Sequence, residues 1–109
     1  MPNQPNILLI IADSAQRAAY GCYGHPLVQT PHLDRLASQG VLFNDNYTTA
    51  PICHPSRASI LTGLYPFQHS VDNNIPWDTA PGNRDLAYLA RFPSYVNMLS
   101  EAGYRTGYV

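Results

Sequence analysis

The sequence contains no lysine, and its charge is sparse. Six arginines face seven acidic residues, which gives a net charge of −1 at pH 7. These charges form no run, so the chain lacks the basic patch that non-specific binding to nucleic acid or to an anionic membrane requires. We therefore expect neither nucleic acid nor a membrane as a partner.

Cysteine and long apolar runs are equally scarce. Cys22 and Cys53 can form one disulfide at most, which is too few for a secreted disulfide scaffold. The most apolar stretch, residues 6–12, is far shorter than a membrane span and lacks the charged start and cleavage site of a secretory signal. These absences favour a cytoplasmic protein. The length of 109 residues and the hydrophobic content of 45 % fit one domain, residues 1–109, with no second domain.

What the sequence does contain is an alternation of strand and helix patterns. The unbroken Ile/Leu run of residues 6–12 is typical of a strand buried on both faces. Cap and stop signals predict helices from Pro31 to Gly40 with Thr30 as N-cap, around Pro55 to Gly63, and from about Ser94 to Ala102. Further strands are expected to begin at Val41 and at Tyr104, and a long loop is predicted for residues 65–92. This order predicts an α/β fold with a mostly parallel central sheet and flanking helices.

The stretch "CHPSRASILTG" concentrates reactive and charged residues at the start of a predicted helix. Cys53 and Arg57 are four positions apart, so both lie on one helix face near an N-terminus that favours an anion. One interpretation is a thiolate that attacks a phosphate, although Pro55 removes a backbone donor that a phosphate-binding loop would use. The other is a small buried cysteine beside a solvated arginine. The four-residue spacing from cysteine to arginine is also shorter than the phosphate-binding loop of thiol-dependent phosphatases, so residue types and spacing alone favour the second interpretation.

The whole string resembles the signature of the sulfatase family, Cys-x-Pro-Ser-Arg followed by an apolar helix and Thr-Gly. The stretches "NILLIIAD", "GCYG", "TPHLDRLASQGVLFNDNY" and "AGYRTGYV" resemble other elements of that family in the same order. The chain is thus similar over essentially all 109 residues to the N-terminal part of a formylglycine-dependent sulfatase of the alkaline-phosphatase-like superfamily, truncated before the rest of its catalytic domain.

This resemblance implies hydrolysis of sulfuric esters. Cys53 would be oxidised to formylglycine, whose hydrate supplies the nucleophilic oxygen, and Arg57 would hold that hydrate. Cys53, Pro55, Ser56 and Arg57 would form the motif that a formylglycine-generating or other sulfatase-maturing enzyme modifies. The implied substrate is a small-molecule or carbohydrate sulfate ester. Ser56 and Thr62 are expected to make local hydrogen bonds.

The resemblance also implies a metal site. Asp13 matches the family's first metal-ligating aspartate, at the carboxyl end of the opening strand, and the formylglycine at position 53 would be a further ligand. The implied metal is Ca²⁺, or else Mg²⁺ or another divalent cation. Ser14 stands where the family commonly has a second aspartate, and it is interpreted either as a hydroxyl ligand or as a helix cap. Ala18 replaces another aspartate that many relatives carry.

Several expectations limit this function. The family's remaining metal ligands, its sulfate-binding lysine and its acid histidines would follow Val109, so the 109 residues alone are expected to be inactive. The alternatives are a phosphonate or phosphate ester hydrolase of the same superfamily and a non-catalytic fragment or pseudoenzyme. His69 is expected to line a pocket rather than to catalyse.

Overall fold

The structure is a computed structural model, and it describes residues 4–74 and 90–108. The chain divides after Asn46 into two compact units. The described helices are α1 (Pro31–Gln39) in the first unit and α2 (Cys53–Thr62), α3 (Pro66–His69) and α4 (Tyr95–Glu101) in the second, and two short 3₁₀ turns span Arg17–Ala19 and Gly21–Tyr23. Across the described ranges, no helix combines the length and the apolar character needed to cross a bilayer. The single domain expected from the sequence stays a prediction.

In the first unit, a short hydrogen-bonded chain joins the second 3₁₀ turn to α1. The Gly21 N–H donates to Thr30 Oγ1 at 2.9 Å, and Thr30 Oγ1 donates to Asp34 Oδ1 at 2.8 Å. Thr30 does precede the helix, as the sequence predicts, but its side chain caps no backbone N–H of the first turn. The hydroxyl is instead engaged between Gly21 and Asp34, which fixes the entry to α1.

In the second unit, α2 contacts both α3 and α4. Its buried side is made of Pro55, Ala58 and Ser59, and it ends where Gly63 adopts a left-handed conformation with φ of +71°. Ile60 of the same helix is exposed over 46 % of its surface. The α2 helix and its glycine stop are confirmed, and Cys53 is its first residue.

The short helix α3 lies inside the segment predicted as a loop, so that part of the prediction is wrong. Pro66 suits the first helical position, and the side-chain oxygen of Gln68 accepts from the Tyr65 N–H at 2.9 Å. Ser70 ends the helix in a left-handed conformation with φ of +58°. Residues 75–89 of the predicted loop lie outside the described residues.

The predicted parallel sheet is not confirmed, since residues 4–74 and 90–108 contain no strand. The apolar run is exposed, from 49 % at Ile11 to 83 % at Leu8, and Val41 and Phe43 are exposed as well. A strand exists only through backbone hydrogen bonds with a neighbour, and none of the described residues supplies such a ladder to residues 6–12. The helical half of the α/β prediction is therefore observed and the sheet half is not.

Candidate functional site

The motif residues come together on the first two turns of α2. Cys53 is exposed at the first helical position, and Arg57, one turn later, is exposed on the same face. Pro55 is fully buried and Ser56 half-buried between them. Both Cys53 and the half-buried Cys22 are free thiols. The interpretation of Cys53 as a small buried cysteine is therefore wrong, because this residue is exposed.

The first turn of α2 is capped by a residue far along the chain. Ile52, which precedes the helix, has no side-chain group that caps a backbone N–H. Instead, Asn74 Oδ1 accepts from the His54 N–H at 2.9 Å, across twenty positions of sequence. Asparagine is a good acceptor for a helix N-terminus, but only the folded chain brings this one to Cys53. Sequence analysis missed it for that reason.

The first turn of α2 is also held by a contact between two hydroxyl groups, one of which belongs to a residue that precedes the helix in the sequence. Ser56 Oγ and Thr48 Oγ1 lie 2.7 Å apart, and Thr48 Oγ1 donates to the Ala50 carbonyl at 2.9 Å. Because a hydroxyl has one proton, Ser56 is the donor of the pair. The expected local role of Ser56 is thus seen, and Thr62 Oγ1 likewise donates to the Ala58 carbonyl at 2.7 Å.

These contacts weaken the interpretation of Cys53 as a thiolate that attacks phosphate. The His54 N–H is engaged by Asn74, Pro55 has no N–H, and the Ser56 N–H donates to the Ile52 carbonyl at 3.1 Å. A phosphate-binding loop needs several backbone N–H groups converging on one anion. The three positions that follow Cys53 therefore offer no such set.

His69 bridges the second turn of α2 to the segment that follows α3. Its Nε2 lies 3.0 Å from Ser59 Oγ, and its Nδ1 accepts from the Val71 N–H at 3.1 Å. The side chain is completely buried, with 0 % of its surface exposed. The expectation that His69 lines a pocket is not supported by this interior position.

Asp13 and Ser14 lie in the first compact unit. Asp13 is exposed, and Ser14 has a left-handed backbone with φ of +53°. The next helical turn begins at Arg17 and is preceded by Gln16, so Ser14 does not cap it. The helix-cap interpretation of Ser14 is wrong, and its role as a ligand stays a prediction.

The described residues do not assemble a complete metal site. No group of three or more His, Cys, Asp or Glu side chains within residues 4–74 and 90–108 is arranged to hold an ion. Ca²⁺ takes about six to eight oxygen ligands. Asp13 and Ser14 supply one carboxylate and one hydroxyl, and Ala18 has no side-chain donor. This donor set alone does not fit a divalent cation.

Comparison with known proteins gives consistent matches. A family model described as Sulfatase matches residues 5–109. An N-acetylgalactosamine-6-O-sulfatase of Bacteroides thetaiotaomicron is 42 % identical over 106 residues, covering 97 % of this chain and 20 % of that protein. Human N-acetylgalactosamine-6-sulfatase is 46 % identical over 111 residues, and human arylsulfatase A is 38 % identical over 103; each match covers 94 % of this chain and 20 % of the relative. The chain thus spans about a fifth of the length of these curated relatives. No solved structure matches it.

Proposed function

The chain belongs to the sulfatase family, and we propose that it carries the formylglycine-forming element of an enzyme that hydrolyses sulfate esters. The observation that supports this most directly is the arrangement of α2. Cys53 is exposed at its first position, Arg57 is exposed one turn later, and Pro55 is buried between them. The family implies an alkaline-phosphatase-like fold, and we propose that residues 6–12 form a strand of its parallel sheet.

In the proposed reaction, the residues of α2 have different roles. Formylglycine at position 53, as its hydrate, would supply one hydroxyl that displaces the alcohol from the sulfur of the ester and a second hydroxyl whose deprotonation releases sulfate and restores the aldehyde. Exposure of position 53 leaves room for a sulfate group, and the Arg57 guanidinium offers charge-assisted hydrogen bonds to the hydrate. Burial of Pro55 and the Ser56 hydroxyl pair hold the turn that presents both groups.

We also propose that Asp13 contributes a carboxylate to a divalent metal, Ca²⁺ or Mg²⁺ by family resemblance, with Ser14 as a hydroxyl ligand. An exposed carboxylate directly after the apolar run is consistent with this assignment. The formylglycine at position 53 stays a predicted further ligand, and the remaining oxygen ligands would come from outside residues 4–74 and 90–108. The maturing enzyme that acts on Cys53, Pro55, Ser56 and Arg57 is a further proposed partner.

The relatives suggest the kind of ester. Two of them are named for N-acetylgalactosamine-6-sulfate and one for aryl sulfates. We therefore propose a carbohydrate or small-molecule sulfate ester as substrate. Parallel rates on matched sulfate and phosphonate esters test this choice, and faster phosphonate cleavage would contradict it. The cytoplasmic location stays a prediction.

The decisive experiment examines residue 53 in the natural gene product, purified at its own length after co-expression with a formylglycine-generating enzyme. Peptide mass spectrometry should find an aldehyde at position 53, while Cys22 in the same sample stays a thiol. Turnover of an aryl sulfate should vanish in Cys53→Ala and fall by about a hundredfold or more in Arg57→Ala. Cys22→Ala is the matched control and should retain turnover. An unmodified Cys53, or turnover that survives Cys53→Ala, would overturn the proposed function.

A further inference from the structure

His69 is a buried titratable group for which the proposed chemistry has no use. Because its Nδ1 accepts from the Val71 N–H at 3.1 Å, the ring proton lies on Nε2. The Nε2–H therefore donates to Ser59 Oγ at 3.0 Å. With 0 % exposure, the imidazole is held in one tautomer and one orientation by these two bonds.

Ser59 connects this imidazole to the residues proposed for catalysis. It belongs to the buried side of α2, together with Pro55 and Ala58, whereas Cys53 and Arg57 are exposed. Any rotation of α2 about its axis would move the buried and exposed sides together. Apolar contacts at Ala58 tolerate small rotations, but a hydrogen bond weakens steeply when its angle is lost.

The segment that carries His69 contacts α2 at a second point. Residues 69–74, named here the bracing segment, reach from His69, opposite Ser59, to Asn74, which accepts from the His54 N–H at 2.9 Å. Two polar contacts at different turns of α2 fix both its rotation and the position of its first turn. Val71, in the middle of the segment, is 3 % exposed, which anchors the segment in the interior.

We propose that His69 is a positioning residue for the Cys53 site: through Ser59 it sets the rotation of α2 and so the placement of residue 53 and Arg57. It touches no reacting atom. The kcat test of this proposal rests on the proposed function, because it requires a protein that hydrolyses a sulfate ester. Its effect should appear in kcat of the folded enzyme, since misplacement of reacting groups by about 1 Å can cost about a hundredfold.

The test uses the natural gene product with the variants His69→Leu, Ser59→Ala, their combination, and Ser59→Thr, which keeps the hydroxyl. The first two should each lower kcat of the folded protein about ten- to a hundredfold with little change in KM. The combination should be no worse than His69→Leu, because the Ser59–His69 bond that Ser59→Ala removes is already lost in His69→Leu. Ser59→Thr should recover most of the kcat that Ser59→Ala loses. The matched control is His25→Leu. His25 Nδ1 also accepts backbone N–H groups, from Leu27 and Val28, but neither bond reaches α2, so kcat should not change.

Wild-type kcat in folded His69→Leu and Ser59→Ala would overturn the positioning role. Amide hydrogen exchange provides a readout that needs no turnover. In Ser59→Ala, the milder change, exchange should accelerate at the His54 and Ser56 amides, while the Met98 amide of α4, bonded to the Ser94 carbonyl, stays protected. Equal acceleration in α2 and α4 would mean that the bond is only a general stabiliser, and no acceleration in α2 would also contradict the proposal. If the unaltered protein shows no turnover, the proposed function fails and the exchange pattern alone decides the role of His69.

Discussion

At the scale of single residues, Gly21 shows how the space around a position limits which residue type fits there. Its φ angle is not positive, so a left-handed backbone conformation is not the reason that glycine occupies this position. Its importance is the close approach of α1: a Cβ atom at this position would lie 2.7 and 2.9 Å from the two carboxylate oxygens of Asp34. Real Cβ atoms do not come this close, so a side chain here would displace Asp34 from its bond with Thr30.

Gly21→Ala should therefore destabilise the first unit by about 1 kcal/mol, because the Asp34 carboxylate can move away only by giving up its hydrogen bond with Thr30. Chemical denaturation of the natural gene product, followed at both units, measures it. Gly107→Ala is the matched control, because a Cβ at Gly107 meets nothing within 4 Å. Combining Gly21→Ala with Asp34→Ala should relieve part of the clash. Equal stability of the Gly21→Ala and Gly107→Ala proteins would contradict this account.

The residues of the candidate site differ in how far sequence could reveal them. Cys53 and Arg57 could be identified because the motif is contiguous, and a helix automatically places residues four apart on one face. Asn74 and His69 could not, because their partners on α2 lie twenty and ten positions away. An isolated asparagine or histidine carries no mark of a distant partner, so only the tertiary structure assigns these two.

At the scale of elements, the start of α4 is determined by a local cap. Ser94 Oγ accepts from the Asn97 N–H at 3.2 Å and donates to Asn97 Oδ1 at 2.6 Å, which caps α4. The serine is 7 % exposed, so water cannot easily replace this contact. The prediction that α4 begins at about Ser94 is confirmed, because Ser94 is its N-cap.

Replacing the cap tests its contribution directly. Ser94→Ala should lower the free energy of unfolding by about 1 kcal/mol, because an N-cap acceptor is lost. Ser100→Ala changes the same residue type on the same helix, but at an exposed position in its last turn where the side chain is not the N-cap, and should change stability much less. Denaturant midpoints of the two variants provide the comparison. A Ser100→Ala effect as large as that of Ser94→Ala would refute the capping role.

The elements also show why some predictions were confirmed and others were not. Helices α1, α2 and α4 could be predicted from local signals: a proline in the first turn of α1 and of α2, the Ser94 cap of α4, and a glycine at or just after each C-terminal end. The Asn74 contact at the start of α2 is distant in sequence and was not among these signals. The strand expected at residues 6–12 depends on a neighbouring strand that local sequence cannot specify, and none is present among the described residues. Helix α3 was missed because Pro66, which starts it, was interpreted as one of several loop-forming residues.

At the scale of the whole molecule, the exposed apolar run and the few metal-ligand candidates both bear on whether residues 1–109 can act alone. Ile7, Leu8 and Ile10 are more than half exposed, at 59 %, 83 % and 76 %, although their pattern is that of a buried strand. Asp13 follows this run and has too few companion ligands in the described residues to hold a metal. The chain also spans about a fifth of the length of its curated relatives. A sulfatase site needs more oxygen ligands and a proton donor for the leaving group than these residues provide.

We therefore expect residues 1–109, expressed alone, to show no aryl sulfate turnover above background even when position 53 has been converted to formylglycine. The aldehyde supplies a nucleophile, but attack also requires a charge-stabilised ester and a positioned acid. The assay compares this protein with its own Cys53→Ala variant at equal concentration, after mass spectrometry has established the state of residue 53. Identical rates in the two proteins are the expected result. A rate in the converted protein that Cys53→Ala removes would show that these residues contain a working site, and the incomplete ligand set inferred around Asp13 would then be wrong.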